Sequence, residues 1–525
     1  MNDTTDQQSK QSGGGSKRLI SIILVAVLVV GGSVAAYAFI NKSPKNKYFL
    51  AEKKSSEFIM DIIDQRFSHE LEWKDKVEEN PSDSTYVLSA QMNSDPGLST
   101  GLFSPEQIVN NSNLTLTATK DLGNKIMSTG LAGSVAGVEI EGFEYTLTAE
   151  ELLVDLPFED DLIQIKGQDV GQVLHSLDPY SVDEDLELDF STLFDWMEGY
   201  MSEEDKEYFK EEYVKMIYDE IPDDAFETDK EKVTIDGNSV NTDKITMHLS
   251  EEKVKGLLSS VVEKMSNDER IKEKLDDLYN LINIGESVDV TMNVDEFIGE
   301  FEDGMEEIIE EINELSIPEG MTSTIWVKKN LIVQREFILE MGSSDADLVS
   351  FDINGTQLLA DNEQSFEYEF GVEDEFDQET VFLIGDFSVN KEKATDSIEL
   401  SDTDHSIRYE ATEKIEDNKK DFDRSISFDD TGIEFKILWT GTADYDKEEM
   451  NSNHELSVED ANVDSDMFSI NIEKEAKLVK EVEQPTDKDS KDLGSMSDTE
   501  LMEYFQYELP TQLEEWLYGS MDTMW

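Results

Sequence analysis

Cysteine is absent from the 525 residues of this chain. Its absence excludes disulfides, thiol nucleophiles, thiolate metal sites and lipid attachment through an N-terminal cysteine. The fold must therefore be held together by packing alone. Missing cysteine is also common among exported proteins of Gram-positive bacteria.

Positive charge is scarce as well. Lys and Arg total 43 against 121 Asp and Glu, so the formal net charge is -78 at pH 7. A surface this acidic repels phosphate backbones, and we predict no nucleic-acid partner. It attracts cations and basic partners, and it also forms a solvated coat that opposes aggregation. Because the carboxylates repel one another, we expect the melting temperature to rise between low and moderate salt.

Catalytic motifs are missing from the sequence. The chain has five histidines, and no two of them have the spacing of a metal-binding helix. It has no G-x-S-x-G motif and no phosphate-binding glycine loop. Ser250 and Lys253 match S-x-x-K, but no K-T-G follows, and a helix cap explains Ser250 better. We therefore predict that the protein is not an enzyme, and we assign no catalytic residue.

Several clusters of acidic residues carry the carboxylate oxygens that ligate a loosely bound surface cation. These groups are Asp402 with Asp404 and His405, Asp464 with Asp466, and Asp487 with Asp489 and Asp492. None matches the calcium loop, in which D-x-D-x-D-G is completed by a glutamate. Polar turns explain them better in so acidic a chain. We predict no metal site and no cofactor, and we assign no cofactor-binding residue.

One long apolar segment lies near the N-terminus. Residues 19–40 carry no charge and directly follow Lys17 and Arg18. A helix needs about 20 apolar residues to cross a bilayer, so we predict a transmembrane helix over 19–40 that contacts the lipid bilayer. Residues 36–38 also fit a signal-peptidase site, which leaves a cleaved signal peptide as the alternative.

The orientation of this segment rests on two opposing considerations. Basic residues are more frequent after the segment than before it, which by the positive-inside rule would place the C-terminal flank inside. Long domains, however, can cross the membrane regardless of flanking charge. We predict a single-pass protein of the cell membrane whose large C-terminal part is extracytoplasmic.

The rest of the chain divides by its apolar periodicity. Residues 1–18 are polar and predicted to be disordered. Residues 41–229 combine helical and short strand patterns, which predicts a first α+β lobe. Residues 230–476 form a second α+β lobe, with helices over 250–316 and an antiparallel meander over 323–473. The two lobes are similar in pattern only.

The C-terminal region has two further parts. Residues 477–496 are charged and polar, which predicts an acidic linker. Ser497 and Glu500 form a capping box that opens a C-terminal helical tail over 497–525. The predicted fold class is therefore α+β, an N-terminal transmembrane helix followed by curved, half-barrel-like antiparallel β-sheets packed on amphipathic helices.

Three segments carry a resemblance to known proteins: 48–53 (YFLAEK), 152–157 (LLVDLP) and 325–333 (IWVKKNLIV). Together they resemble uncharacterised membrane-anchored proteins of Gram-positive bacteria and, more distantly, LolA/LppX-like exported lipoproteins. The resemblance implies a curved antiparallel sheet around helices with an apolar hollow, which carries lipid in characterised members. It has no invariant functional motif to transfer, and this chain lacks the anchoring cysteine of the lipoproteins.

Three functions remain open from the sequence. The first is a membrane-tethered, extracytoplasmic, non-enzymatic module that binds a lipid or another amphipathic ligand, or an envelope protein, in a half-barrel hollow. The second is an envelope scaffold that docks partners through its helices and acidic face. The third, a carboxylate-based cell-wall hydrolase, needs two close carboxylates with at least one raised pKa. We favour the first.

Overall fold

The computed structural model describes residues 43–93, 104–178, 182, 184, 186–198, 202–235, 237–285, 294–390, 392–482, 484–485 and 488–522. The predicted disordered arm and the predicted transmembrane helix over 19–40 lie outside these ranges. Within them, no helix combines the length and the apolar character needed to cross a membrane.

Strands are the most abundant element of the described chain. Their bounds are β1 Ser82–Met92, β2 Asn113–Asp121, β3 Ile126–Val135, β4 Val138–Thr148, β5 Glu151–Asp155, β6 Leu162–Lys166, β7 Phe226–Ile235, β8 Asn238–Leu249, β9 Met321–Lys328, β10 Leu331–Gly342, β11 Leu348–Ala360, β12 Glu363–Glu373, β13 Gln378–Val389, β14 Lys393–Ser401, β15 His405–Glu416, β16 Lys419–Asp430, β17 Ile433–Tyr445, β18 Glu449–Glu459, β19 Phe468–Leu478 and β20 Ser490–Asp492.

The helices fall into three groups, before, between and after the strands. Their bounds are α1 Pro44–Arg66, α2 Ser68–Glu79, α3 Pro105–Asn110, α4 Val170–Leu177, α5 Phe190–Glu198, α6 Glu203–Phe209, α7 Lys215–Glu220, α8 Glu251–Asn267, α9 Glu269–Gly285, α10 Val294–Glu314, α11 Asp498–Glu503 and α12 Leu509–Asp522. Short 3-10 turns occupy Gly167–Asp169, Asp223–Ala225 and Leu493–Ser495, and π-helical turns occupy Lys210–Val214 and Tyr504–Glu508.

All 20 strands of the described residues belong to one sheet. From one edge, β7 to β19 follow in chain order, each antiparallel to the next. β19 then pairs with β1, and β1 to β6 continue the antiparallel order. β20 lies at the far edge and pairs parallel with β6. An antiparallel sheet tolerates one face toward solvent, which allows so wide a sheet to expose part of its surface.

This topology corrects the predicted fold class. We expected curved antiparallel sheets in two lobes behind a transmembrane helix, with a LolA-like architecture, and that prediction was wrong. Instead β1, from the first predicted lobe, pairs along its whole length with β19, from the second. The predicted single-pass location at the cell membrane is corrected with it, because none of the described helices could span a bilayer.

Local patterns in the sequence were better guides than the global one. Lys329 and Asn330 lie between two apolar runs, adopt left-handed backbone angles (φ 52° and 66°) and turn β9 into β10. The predicted capping box at Ser497 is formed, and a second capping box forms at Ser202. Ser250 occupies the N-cap position of α8, but its side chain makes no capping hydrogen bond. β20 lies inside the segment predicted to be a linker. Its three backbone pairs with β6 do not depend on an apolar pattern, so the sequence pattern did not indicate this strand.

The main core lies between α1 and one face of the sheet. Tyr48 and Phe49 of α1 are almost fully buried against Met247 and Ile325 of β8 and β9, and α8 and α10 add apolar residues to the same cluster. Next along the chain, Trp73 of α2 packs against β18 and β19. We call this the helix-bearing face, and its residues alternate along each strand with those of the opposite face.

Candidate functional site

A row of exposed apolar side chains crosses five neighbouring strands of the helix-bearing face. The first apolar row consists of Leu383, Leu400, Ile407, Phe428 and Phe435, each directly opposite the next from β13 to β17. Opposed residues in an antiparallel pair share a face, with Cβ atoms about 5 Å apart. The last four of these side chains are 37–46% exposed. Contiguous apolar surface of this kind marks a binding site more often than it marks ordinary surface.

The opposite face of the same strands is polar. Shifting the register by one residue gives Ile384, Glu399, Arg408, Ser427 and Lys436. Four of these five are polar, and the Arg408 guanidinium lies 2.6 Å from the Glu399 carboxylate. The exposed apolar row therefore belongs to one face of these strands, and their other face is mostly polar.

The apolar surface continues diagonally toward β3. Its next members are half-buried and lie closer to α2. The apolar band comprises the first apolar row together with Ile398, Tyr409, Ile426, Ile437, Val458, Leu456, Ile470, Leu88, Leu114, Leu116 and Leu131. At its far end, Leu114 and Leu131 are each 39% exposed. The band thus crosses ten strands of one face, from β13 to β19 and on to β3 by way of β1 and β2.

The band ends against a buried charge cluster where α1 meets α2. The cluster comprises Arg66, Glu70, Asp396, Glu413, Lys420 and Arg424, three carboxylates and three cations. Glu413 lies at its centre and is completely buried. It accepts hydrogen bonds from Arg66 and, at 2.6 Å, from Arg424, and the ammonium of Lys420 lies 3.4 Å away.

The charges of this cluster stabilise one another. Burial alone would raise the pKa of Glu413, but the hydrogen bond from Arg66 and the positive charges of Lys420 and Arg424 hold that pKa below its usual range. Burial alone would lower the pKa of Arg66, yet its hydrogen bonds to Glu413 and Asp396 raise it. Glu413 and Arg66 are therefore charged near neutral pH, and the cluster fixes the α1–α2 junction to the centre of the sheet.

Aromatic rings lie between the charge cluster and the band. The Arg424 guanidinium stacks on Phe422 and Trp439, 4.4 and 4.5 Å from their ring centroids. The Trp439 indole donates to Nδ1 of His454 at 3.1 Å, and Nε2 of His454 lies 3.0 Å from the Ser452 hydroxyl. Because Nδ1 accepts, Nε2 of the neutral ring carries the proton, so His454 cannot take a proton from Ser452 in this arrangement.

A second buried ion pair anchors α1 nearer the edge of the sheet. The Arg335 guanidinium lies 2.5 Å from the Glu52 carboxylate, and the Tyr48 hydroxyl is 2.6 Å from the hydroxyl of Ser323. Burial raises the pKa of Tyr48, and the charge of Glu52 adds to this. These contacts hold α1 in place.

A cavity of about 600 Å³ lies among α5, α6 and α9. Its lining is polar and includes Asp205, Arg270 and Lys274, and the Asp205 carboxylate lies 2.5 Å from Arg270 and 3.4 Å from Lys274. Burial alone would raise the pKa of Asp205, but hydrogen bonds from Ser202 and Arg270 hold it well below its usual range. The nearest cations are thus already paired with a carboxylate.

The acidic groups singled out in the sequence do not assemble into a site. The backbone amides of Asp404 and His405 donate to the Asp402 carboxylate at 2.7 and 2.8 Å, so this side chain closes the β14–β15 turn. Asp464 ends another turn, in which its carbonyl accepts from Met467. Asp487 lies outside the described residues. Within those residues, no group of three or more potential ligands surrounds a metal position.

The buried charge cluster escaped sequence reasoning, although a sign of it was present. Glu413 shares its strand parity with Ile407, Tyr409 and Ala411, and a charged residue in an otherwise apolar alternation is unusual. Its partner Arg66 lies 347 positions away, so the pairing itself cannot be seen in the sequence.

Comparisons with known proteins show no family for this chain. No family model matches it, and no curated protein matches it.

Among solved structures, OccK3 (OpdO) of Pseudomonas aeruginosa aligns with 8% identity over 76% of this chain and 96% of its own, with a TM-score of 0.23. Wzi, an outer-membrane protein involved in group 1 capsule assembly in Escherichia coli, aligns with 8% identity over 87% and 97%, with a TM-score of 0.24. A BenF-like porin of Pseudomonas fluorescens Pf-5 aligns with 6% identity over 76% and 97%, with a TM-score of 0.23. TM-scores this low support no argument about fold or function, and the predicted kinship with Gram-positive proteins stays a prediction.

Proposed function

We propose that this protein is a non-enzymatic binding module whose apolar band holds the apolar part of an amphipathic ligand. The observation that carries the proposal is the first apolar row, in which Leu400, Ile407, Phe428 and Phe435 lie side by side and remain 37–46% exposed. A ligand laid across these strands would remove that surface from water. Full burial of an exposed side chain contributes roughly 1.5–3 kcal/mol, and these half-buried side chains have somewhat less than half of it still to gain.

The shape of the row favours an extended ligand. Five strands spaced about 4.8 Å apart give a row of about 19 Å. An alkyl chain of lipid length fits such a row, whereas a compact polar ligand would leave most of it exposed. The charged groups of the cluster beside the band form ion pairs with one another, so the cluster supports the surface and does not compete for the ligand.

The hydrolase alternative has less support in the described residues. A carboxylate general acid needs a raised pKa. The carboxyl groups whose pKa values are displaced here, Asp205, Asp268 and Glu413 among them, are displaced downward by hydrogen bonds and nearby cations. We therefore place the function in binding.

Titration with a fluorescent long-chain alkyl probe tests the proposal on the full chain. Ile407→Gln should weaken probe binding about threefold to tenfold. Ile407 is 46% exposed, so about half of the roughly 1.5–3 kcal/mol for burying a whole side chain is lost, and each 1.4 kcal/mol is a factor of ten. The matched control is Ile384→Gln, because Ile384 is 38% exposed on the opposite face. The control should change binding less than twofold. Absence of binding to the unmodified protein, or equal losses in the two variants, would refute the proposal.

A further inference from the structure

Two lysines on the helix-bearing face lie beside the apolar band. Lys474 of β19 is directly opposite Tyr86 of β1, which is opposite Leu116 of the band. Its ammonium lies 5.0 Å from the centroid of the Tyr86 ring. Lys120 lies four residues beyond Leu116 on β2, and therefore on the same face. Both lysines are half-buried.

Among the described residues, no carboxylate lies within ion-pair distance of either ammonium. Within the described residues, neither Lys120 nor Lys474 forms an ion pair or donates a hydrogen bond, although carboxylates outnumber cations almost threefold in this chain. Lys477, three residues from Lys474 and on the opposite face, is paired with Asp83 at 3.1 Å. An unpaired, half-buried ammonium is costly in a protein that has so many carboxylates available.

The electrostatics of Lys120 show that the two lysines share one region. Burial lowers the pKa of Lys120, and the charges of Lys474 and Lys74 lower it further, whereas Glu78 opposes them. Glu78 is itself engaged by Lys74 at 3.0 Å. The region therefore holds an excess of positive charge that a bound anion would relieve.

We infer that Lys120 and Lys474 bind the head group of the ligand, which is accordingly a long-chain amphiphile with an anionic head group. This inference rests on the proposed function, because the chain of the amphiphile is assigned to the apolar band, at the end of the band that lies beside these lysines. The band reaches the lysines through Leu116, and Leu114 and Leu131 beside it are exposed. One end of the surface thus offers positive charge and the remainder offers apolar contact, which matches the two ends of such a molecule.

Competition against the fluorescent alkyl probe tests this inference with three C16 amphiphiles, all used below their micelle concentrations. These are palmitate, the neutral monoacylglycerol of the same chain and hexadecyltrimethylammonium, and acetate serves as a head group without a chain. Palmitate should compete at least threefold more strongly than the neutral amphiphile and more strongly than the cationic one. Lys474→Gln and Lys120→Gln should each weaken palmitate at least threefold, with the neutral amphiphile changed less than twofold. The matched control, Lys477→Gln, removes the same charge from the opposite face and should leave palmitate unchanged.

The outcomes separate the two proposals. If the neutral or cationic amphiphile competes as well as palmitate, or if Lys477→Gln has the same effect as Lys474→Gln, the head-group assignment is overturned and the binding function stands. If acetate alone competes as well as palmitate, the alkyl chain adds nothing to binding and the proposed function fails. If no C16 amphiphile competes and the alkyl probe itself does not bind, the proposed function fails, and this inference fails with it.

Discussion

Replacing Glu413 by glutamine removes the central negative charge of the buried charge cluster with little change in shape. Arg66, Lys420 and Arg424 would then share only the carboxylates of Glu70 and Asp396. Position 413 is completely buried, so solvent does not compensate for the lost charge. Removing one partner of a buried ion pair costs about 3–5 kcal/mol. Because glutamine still accepts one hydrogen bond, we expect a loss near the lower value, about 3 kcal/mol in the free energy of unfolding.

The matched control is Glu399→Gln on β14. Glu399 pairs with Arg408 on the opposite, solvent-facing side of the sheet, so the same change in charge should cost at most about 1 kcal/mol. Urea denaturation followed by tryptophan fluorescence measures both variants, since the Arg424 guanidinium stacks on Trp439 and links the cluster to a fluorophore. The slope of the unfolding free energy against urea should be the same in all three proteins.

The effect should depend on pH in a defined direction. The folded-state pKa of Glu413 is lowered, so its charge stabilises the fold above the unfolded value of about 4.3, and this contribution is lost as the pH falls through the folded-state value. The stability difference between the unmodified protein and Glu413→Gln should therefore be full at pH 7 and shrink below about pH 4. A loss no larger than that of Glu399→Gln, or a difference that persists unchanged in acid, would refute the reasoning.

Three further predictions concern the net charge of the chain and two of its glycines. The melting temperature should rise between about 10 and 300 mM NaCl, since a shorter Debye length weakens repulsion within a chain of net charge -78, and a flat or falling melting curve would contradict this. Gly320→Ala should lower the free energy of unfolding by about 1–3 kcal/mol, because Gly320 has φ +66° and an added Cβ would lie 2.1 Å from the carbonyl oxygen of Leu249. Gly256→Ala should raise it by about 0.5–1 kcal/mol, because a Cβ there meets open space on α8. Chemical denaturation of the two glycine variants checks both signs, and a Gly320→Ala protein as stable as the unmodified one would contradict the strain argument.

Local features of this fold could be predicted from the sequence because their causes are local. Alternation with a period of two identified the strands of the meander, and the turn at Lys329 and Asn330 follows from residues within a few positions. The capping box at Ser497 is equally local. Such patterns fix the geometry of the chain without information from distant residues.

The features that define the candidate site depend on distant pairs. β1 joins β19 across almost 400 residues, and Arg66 meets Glu413 across 347. A period of two shows which residues of a strand share a face, but it does not show which strand lies next to it in the sheet. The sequence therefore indicated one-sided strands, whereas the band became visible only when the strands were placed in register.

The position of β1 in the interior of the sheet has a consequence for biosynthesis. A ribosome makes β1 long before β19, so one edge of β1 stays open until the nascent chain has passed Leu478. Unpaired strand edges template wrong pairings, and an open edge that persists through most of translation is a hazard for aggregation. The dense negative charge of the chain repels neighbouring copies throughout that interval, which gives the acidity a role before folding is complete.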